Sequence, residues 1–170
     1  CNPSTGLDDD DLDDVELFHD FMTFLAPVMP GHTRGARPGG RFGGPPPSGG
    51  GARIFERIGC ANCHLRTLVS GPSPVPALQF QRFQPYSDFL LHDMGDLGDG
   101  IVQGEANGRE MRTAPLWGLR LLTTFLHDGR ATTIADAILA HDGQGRMARR
   151  RFGMLSAGEQ AQLVAFLQTL

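Results

Sequence analysis

At 170 residues and 40% hydrophobic content the chain can bury one core of ordinary size, so a single domain spanning 1–170 is expected. A net charge of -4 gives no basic footprint for nucleic acid, and the sequence has no apolar run of the ~18 residues needed to cross a membrane. All 15 basic residues are arginine, whose planar fork suits buried carboxylates because it donates two hydrogen bonds at once.

The sequence opens on Cys1 rather than Met, the start that lipoprotein processing leaves, so a processed chain with a lipid anchor at Cys1 is one expectation. A cropped sequence and an intermolecular disulfide are the alternatives for this odd cysteine. Residues 1–29 read as an acidic segment leading into a helix. Asp8 to Asp14 are almost all acidic and run into Leu12, Val15, Phe18, Met22 and Leu25, an apolar stripe at three- and four-residue spacing. The pattern predicts a helix over about 11–26, ended by Pro27, with carboxylates at the turn where the helix dipole favours them. A calcium loop would need ordered ligand spacing and a central glycine, which are absent. From 30 to 51 the composition changes to glycine, proline and arginine, which is linker composition, with Phe42 its one large apolar residue. Ordered, such a loop would pack across a neighbouring subunit or over a cofactor edge.

Residues 52–170 form the expected binding core. The run Ala52 to Gly59 reads as a short amphipathic helix with Ile54, Phe55 and Ile58 inward, and it leads into Cys60-Ala61-Asn62-Cys63-His64. C-x-x-C-H is the attachment sequence of c-type haem: two thiols bond the porphyrin and the adjacent imidazole ligates the iron. A structural zinc site would need a second pair of soft ligands, and the one other cysteine is Cys1. A thioredoxin-like pair should follow a strand, whereas this one follows a helical run. One covalent haem c is therefore expected, held by Cys60, Cys63 and His64. Because haem c is attached outside the cytoplasm in bacteria, export to the periplasm, the outer-membrane surface or the extracellular space follows.

Residues 65–86 are rich in proline and glutamine and read as wrapping loop, and a glycine-rich turn region reaches Gly108. Arg112 to Leu119 reads as a packed loop and Phe125 to Ala131 as a turn into a helix over about 133–141. Ile134, Ala137, Ile138 and His141 share a face of that helix. A helical piece over about 145–153 follows, then a final helix opened by the capping box Ser156–Glu159 and carrying Leu163, Val164, Phe166, Leu167 and Leu170. No strand pattern stands out. The expected fold is mostly α, a cytochrome c-like helical domain with long loops around one covalently bound haem.

Taken together, Gly59–His64, Pro85–Gly95, Arg112–Gly118, Leu126–Ala131, Ala137–His141 and Phe152–Ser156 resemble the C-terminal haem domain of the di-haem oxidoreductase (thiol oxidoreductase) family, related to bacterial di-haem cytochrome c peroxidases. The segment Val15–Pro27 also looks like the family's stretch before this haem. Members of the peroxidase type carry a second C-x-x-C-H upstream, and this chain has one. In the related peroxidases the C-terminal domain is the electron-transfer centre, while peroxide binds at the other.

The sixth iron ligand decides function, because a closed iron transfers electrons and an open one binds substrate. His141 is the leading candidate: it ends an apolar helix face before an Asp-Gly break, where the related peroxidases carry their distal methionine. His127, in Leu-His-Asp-Gly, reads equally as a turn histidine, and His92 reads as a loop-ordering residue. Met94, Met111 and Met147 are thioether alternatives that also suit core packing. His19 and His32 precede the haem site and would reach only a haem of another subunit. The resemblance implies Arg112 as a propionate partner. Arg149, Arg150 and Arg151 are expected to face water or an acidic partner, and Trp117 and Tyr86 to pack on the porphyrin, line an electron path or serve as ordinary core. The function expected is an exported monohaem cytochrome c with iron held by His64 and His141, passing single electrons to redox proteins or to further copies of itself in an assembly or filament. The alternatives are a peroxidase or thiol oxidoreductase domain, or a fragment of a larger di-haem enzyme.

Overall fold

The computed structural model describes residues 10–26 and 49–170. Cys1, His32, Pro27 and nearly all of the 30–51 loop lie outside the described residues. In order, the elements are α1 (Asp10–Thr23), α2 (Gly50–Ile58), β1 (Leu68–Val69), β2 (Arg82–Phe83), β3 (Leu91–Asp93), β4 (Glu110–Arg112), α3 (Ile134–Ala140), α4 (Arg146–Gly153) and α5 (Ala157–Leu167).

The core is built where α2 packs on α5. Ile54, Phe55 and Ile58 recur at helical spacing on α2 and are all at most 5% exposed. They meet Leu163, Phe166 and Leu167 of α5, with Leu170, Phe152, Tyr86 and Ile134 completing the cluster. Phe55, Tyr86 and Phe166 contact one another edge-on, with ring centroids 5.7 to 6.1 Å apart. The two helices approach closely at Gly51. A Cβ there would lie 2.6 Å from the Phe166 Cβ and 2.9 Å from the Gln162 carbonyl carbon. Alanine should gain about 1 kcal/mol in helix propensity, but the overlap with backbone costs about 1–3 kcal/mol. Gly51→Ala is therefore expected to lose about 1 kcal/mol net, read as a lower urea midpoint at unchanged slope.

α5 begins with the anticipated capping box: Ser156 Oγ accepts from the Glu159 amide, and Glu159 Oε2 accepts from the Ser156 amide at 3.0 Å. Arg57 of α2 donates to Glu159 Oε1 at 2.6 Å, tying the two helices. The Arg57 hydrogen bond first, then the Ser156 bonds, lower the Glu159 carboxyl from its ordinary 4.5 to about 2. A carboxylate whose folded pKa lies below its unfolded one stabilises above the unfolded value and loses that contribution as pH falls through the folded one. Glu159→Gln should thus flatten the dependence of the urea midpoint on pH between 4.5 and about 2, leaving other acid transitions in place.

The chain is mostly helical, but two small antiparallel sheets correct the expectation of no strands. β1 pairs β2 with Leu68 opposite Phe83, and β3 pairs β4 with His92 opposite Met111. Strands of two and three residues are too short for alternation to be legible in sequence. α1 forms where expected and ends at Thr23, but its stripe is not buried: Val15, Phe18 and Met22 are 66%, 65% and 52% exposed.

Candidate functional site

The Cys60–His64 segment starts where α2 stops. Gly59 takes φ +99°, a left-handed cap that favours glycine, and turns the chain into a short 3-10 turn over Cys60–Asn62. The amide of His64 closes this turn on the Cys60 carbonyl at 3.0 Å. Both cysteines are free thiols. Cys60 packs against the hydrophobic core, and burial pushes its thiol up to about 11. Cys63 is also raised, by burial first and then by the charge of Asp88. Neither environment favours a thiolate, in contrast to the lowered thiol of a thioredoxin-like pair.

His64 and His141 come together. Their ring centroids lie 6.4 Å apart with the planes inclined by 55°. The Nδ1 of His64 donates to the Tyr86 carbonyl at 2.9 Å, and that of His141 to the Ala137 carbonyl at 2.7 Å. With each proton committed to Nδ1, each Nε2 keeps its lone pair. Burial, opposed by the Tyr86 bond, lowers His64 to about 4, and burial likewise lowers His141. Both imidazoles are therefore uncharged at neutral pH. Two imidazoles on one metal, each nitrogen about 2 Å from it, place their ring centres roughly 6 Å apart, the spacing seen here. Two neutral imidazoles beside two free thiols are a donor set whose chemistry fits a covalently attached haem.

His141 differs in one respect from its expected place. α3 ends at Ala140, and His141 is its C-terminal cap: φ stays helical at -60° while ψ turns to 131°, so the chain leaves the helix after His141 while its ring still bonds back to Ala137.

A family model described as "Di-haem oxidoreductase, putative peroxidase" matches residues 45–170. The chain belongs to the di-haem oxidoreductase family. No curated protein and no solved structure matches it. The family match covers α2 to α5 and every residue of the site just described, whereas α1 and the resemblance expected over Val15–Pro27 lie outside it.

Within this di-haem oxidoreductase domain the remaining candidates separate. Met94 packs beside His141, since a Cβ built on Gly145 meets the Met94 Cε and the His141 ring carbon Cδ2 at 3.2 Å each. His127 is exposed in a turn, and His19 lies on exposed α1, as does Met147 on α4 at 52% exposure. Arg112 is exposed on β4, its guanidinium 5.7 Å above the Phe89 ring. Phe89 in turn contacts Trp117, which also meets Phe83. Arg66, which sequence reasoning passed over, lines a small cavity at His64 with Phe55, Glu56, Ala61 and Tyr86. Also missed was a cluster on the other side of Cys63. Donor atoms of Cys63, Asp88 and His92 lie within 4.8 Å of one another, a set with metal-binding chemistry. The sequence signal for it was faint: Asp88 and His92 are four apart, but on a loop and strand rather than a helix. Among the described residues no helix is long and apolar enough to cross a membrane.

Proposed function

We propose that this chain is the haem c domain of a di-haem oxidoreductase of the peroxidase type and serves as its electron-relay half. One haem would be held through Cys60 and Cys63, with His64 and His141 as the residues that would ligate its iron. The pair of neutral imidazoles, with ring centroids 6.4 Å apart and each Nδ1 on a backbone carbonyl, carries this reading. A haem so held supplies one-electron exchange.

The protein's part is to bind, orient and exclude. The Tyr86 and Ala137 carbonyls fix the tautomer and rotation of each ring, as hydrogen-bonded partners do for metal-ligating histidines generally. With His64 and His141 both holding the iron, peroxide would have to bind elsewhere, at a second haem domain or chain. Arg112 and Arg66 are the cations offered to the propionates. No acid or base is assigned, because electron exchange moves no proton. Residues 52–170 form the haem-binding core of a single domain that is exported, where haem c is attached, and redox proteins or further copies of the chain are its partners.

The second reading is a free-standing monohaem carrier. The match to a di-haem enzyme family favours the domain of a larger enzyme. Ferric electron paramagnetic resonance of the haem-loaded protein tests the proposal. A low-spin bis-imidazole spectrum with no peroxide turnover by this chain alone is expected. A high-spin spectrum with turnover would make the chain itself the peroxide-binding half.

A further inference from the structure

Three residues, Asp88, His92 and Gln144, join the attachment segment to the turn that carries His141. The Asp88 amide donates to the Cys63 carbonyl at 2.8 Å, and the neighbouring Ser87 amide to the Leu65 carbonyl at 2.9 Å, so this stretch is pinned to the C-x-x-C-H loop. Asp88 Oδ2 then accepts from His92 Nε2 at 2.8 Å, and both side chains are largely buried, 7% and 18% exposed. The other ring nitrogen, Nδ1, lies 3.1 Å from Gln144 Oε1. That oxygen's orientation is not arbitrary, because it also accepts from the Asp93 amide at 3.1 Å. A carboxylate thus flanks one ring nitrogen of His92 and an amide oxygen the other.

Gln144 is three residues beyond His141, and the turn between them is pressed onto β3. A Cβ on Gly143 would lie 2.7 Å from the Gly95 amide nitrogen and 2.8 Å from the Asp93 carbonyl carbon, so no other residue allows this approach without movement. The Gly143 φ of +53° independently favours glycine. The Asp96 amide also reaches Asp142 Oδ2 at 3.4 Å.

We infer that Asp88, His92 and Gln144 form a latch that positions the sixth ligand by fastening the His141 turn to the segment bearing Cys63. This rests on the proposed ligation by His141. The three are positioning residues: they act on the iron only through where they hold His141. A buried charge-assisted pair extended by one amide acceptor gives the turn a single docked register, and cutting it lets His141 leave the iron more often.

The test uses the haem-loaded protein and the rate at which the ferrous form takes up carbon monoxide, which is gated by departure of the sixth ligand. Ferric spin state and thermal unfolding are recorded alongside. Gln144 is exposed, so Gln144→Ala leaves the core untouched, while Gln144→Glu keeps an acceptor for both His92 and Asp93. Gln144→Ala and His92→Ala should each raise the uptake rate roughly tenfold, with Gln144→Glu close to the parent. His141→Ala sets the fully open limit. Parental uptake in Gln144→Ala, or Gln144→Glu behaving like Gln144→Ala, would overturn the latch while leaving the ligand in place. A His141→Ala protein that stays low-spin and closed would instead overturn the ligation itself. Should His92→Ala unfold, the two Gln144 variants decide alone.

Discussion

Replacing His141 with methionine is expected to raise the reduction potential of the haem-loaded protein on the order of 0.1 V, part of the about 0.8 V over which axial ligands set haem potentials. The thioether donates more weakly to ferric iron than the imidazole, so the oxidised state loses more than the reduced state. His141→Ala should act more strongly, converting the ferric signal from low to high spin and opening the iron to small ligands. Potentiometric titration with paramagnetic resonance at each step measures both. The surroundings of His141 explain why the effect should be local: its Nδ1 bond goes to Ala137, one turn back on α3. If the potential and the spin state of both variants match the parent, His141 is not the ligand. Met94, packed beside it, is then the residue to replace next.

What was legible in the sequence follows the range of the interactions concerned. α2 was readable because Ile54, Phe55 and Ile58 declare a face within one turn, and α5 because its capping box is a local chemical device between Ser156 and Glu159. The β1–β2 and β3–β4 pairs were not, because two or three residues carry no period and their partners lie 13 or more positions away. α1 shows the converse: the stripe through Val15, Phe18 and Met22 correctly marks a helix, yet burial depends on a second surface that periodicity cannot supply.

The site divides the same way. Cys60, Cys63 and His64 are a contiguous motif and needed no fold to be found. His127 also precedes an Asp-Gly pair, so His141 could be singled out only by its place at the end of an apolar helix face and by the family resemblance, and its role as helix cap rather than helix residue was invisible because the end of α3 is set by backbone geometry. The ends of the Asp88–His92–Gln144 chain lie 56 positions apart in the sequence, and no spacing rule joins them. Arg66 was missed for a simpler reason: its adjacency to His64 in space follows from the turn after the motif, not from its residue type.

The second large effect concerns the thiols. Cys60→Ser with Cys63→Ser in one chain should abolish covalent attachment, so the denatured polypeptide carries no haem mass, while each single variant keeps one thioether and the added mass. Tethering makes rebinding intramolecular, and losing it should weaken haem retention by roughly 10²–10⁴-fold against a competing haem acceptor. His64 and His141 would remain, so the double variant should still bind added haem reversibly, with a low-spin spectrum. The singles should not be equivalent. Cys60 packs against the apolar core cluster, and a hydroxyl there has to be buried among apolar neighbours at a cost of about 1–3 kcal/mol. Cys63 lies beside Asp88 and His92, where a serine hydroxyl finds polar company, so Cys63→Ser should be nearly neutral for stability. Intact-mass spectrometry of the denatured chains and urea midpoints of the folded ones separate the two contributions. Equal destabilisation by the two single variants would mean that the loss comes from the thioether itself and not from the surroundings of each thiol.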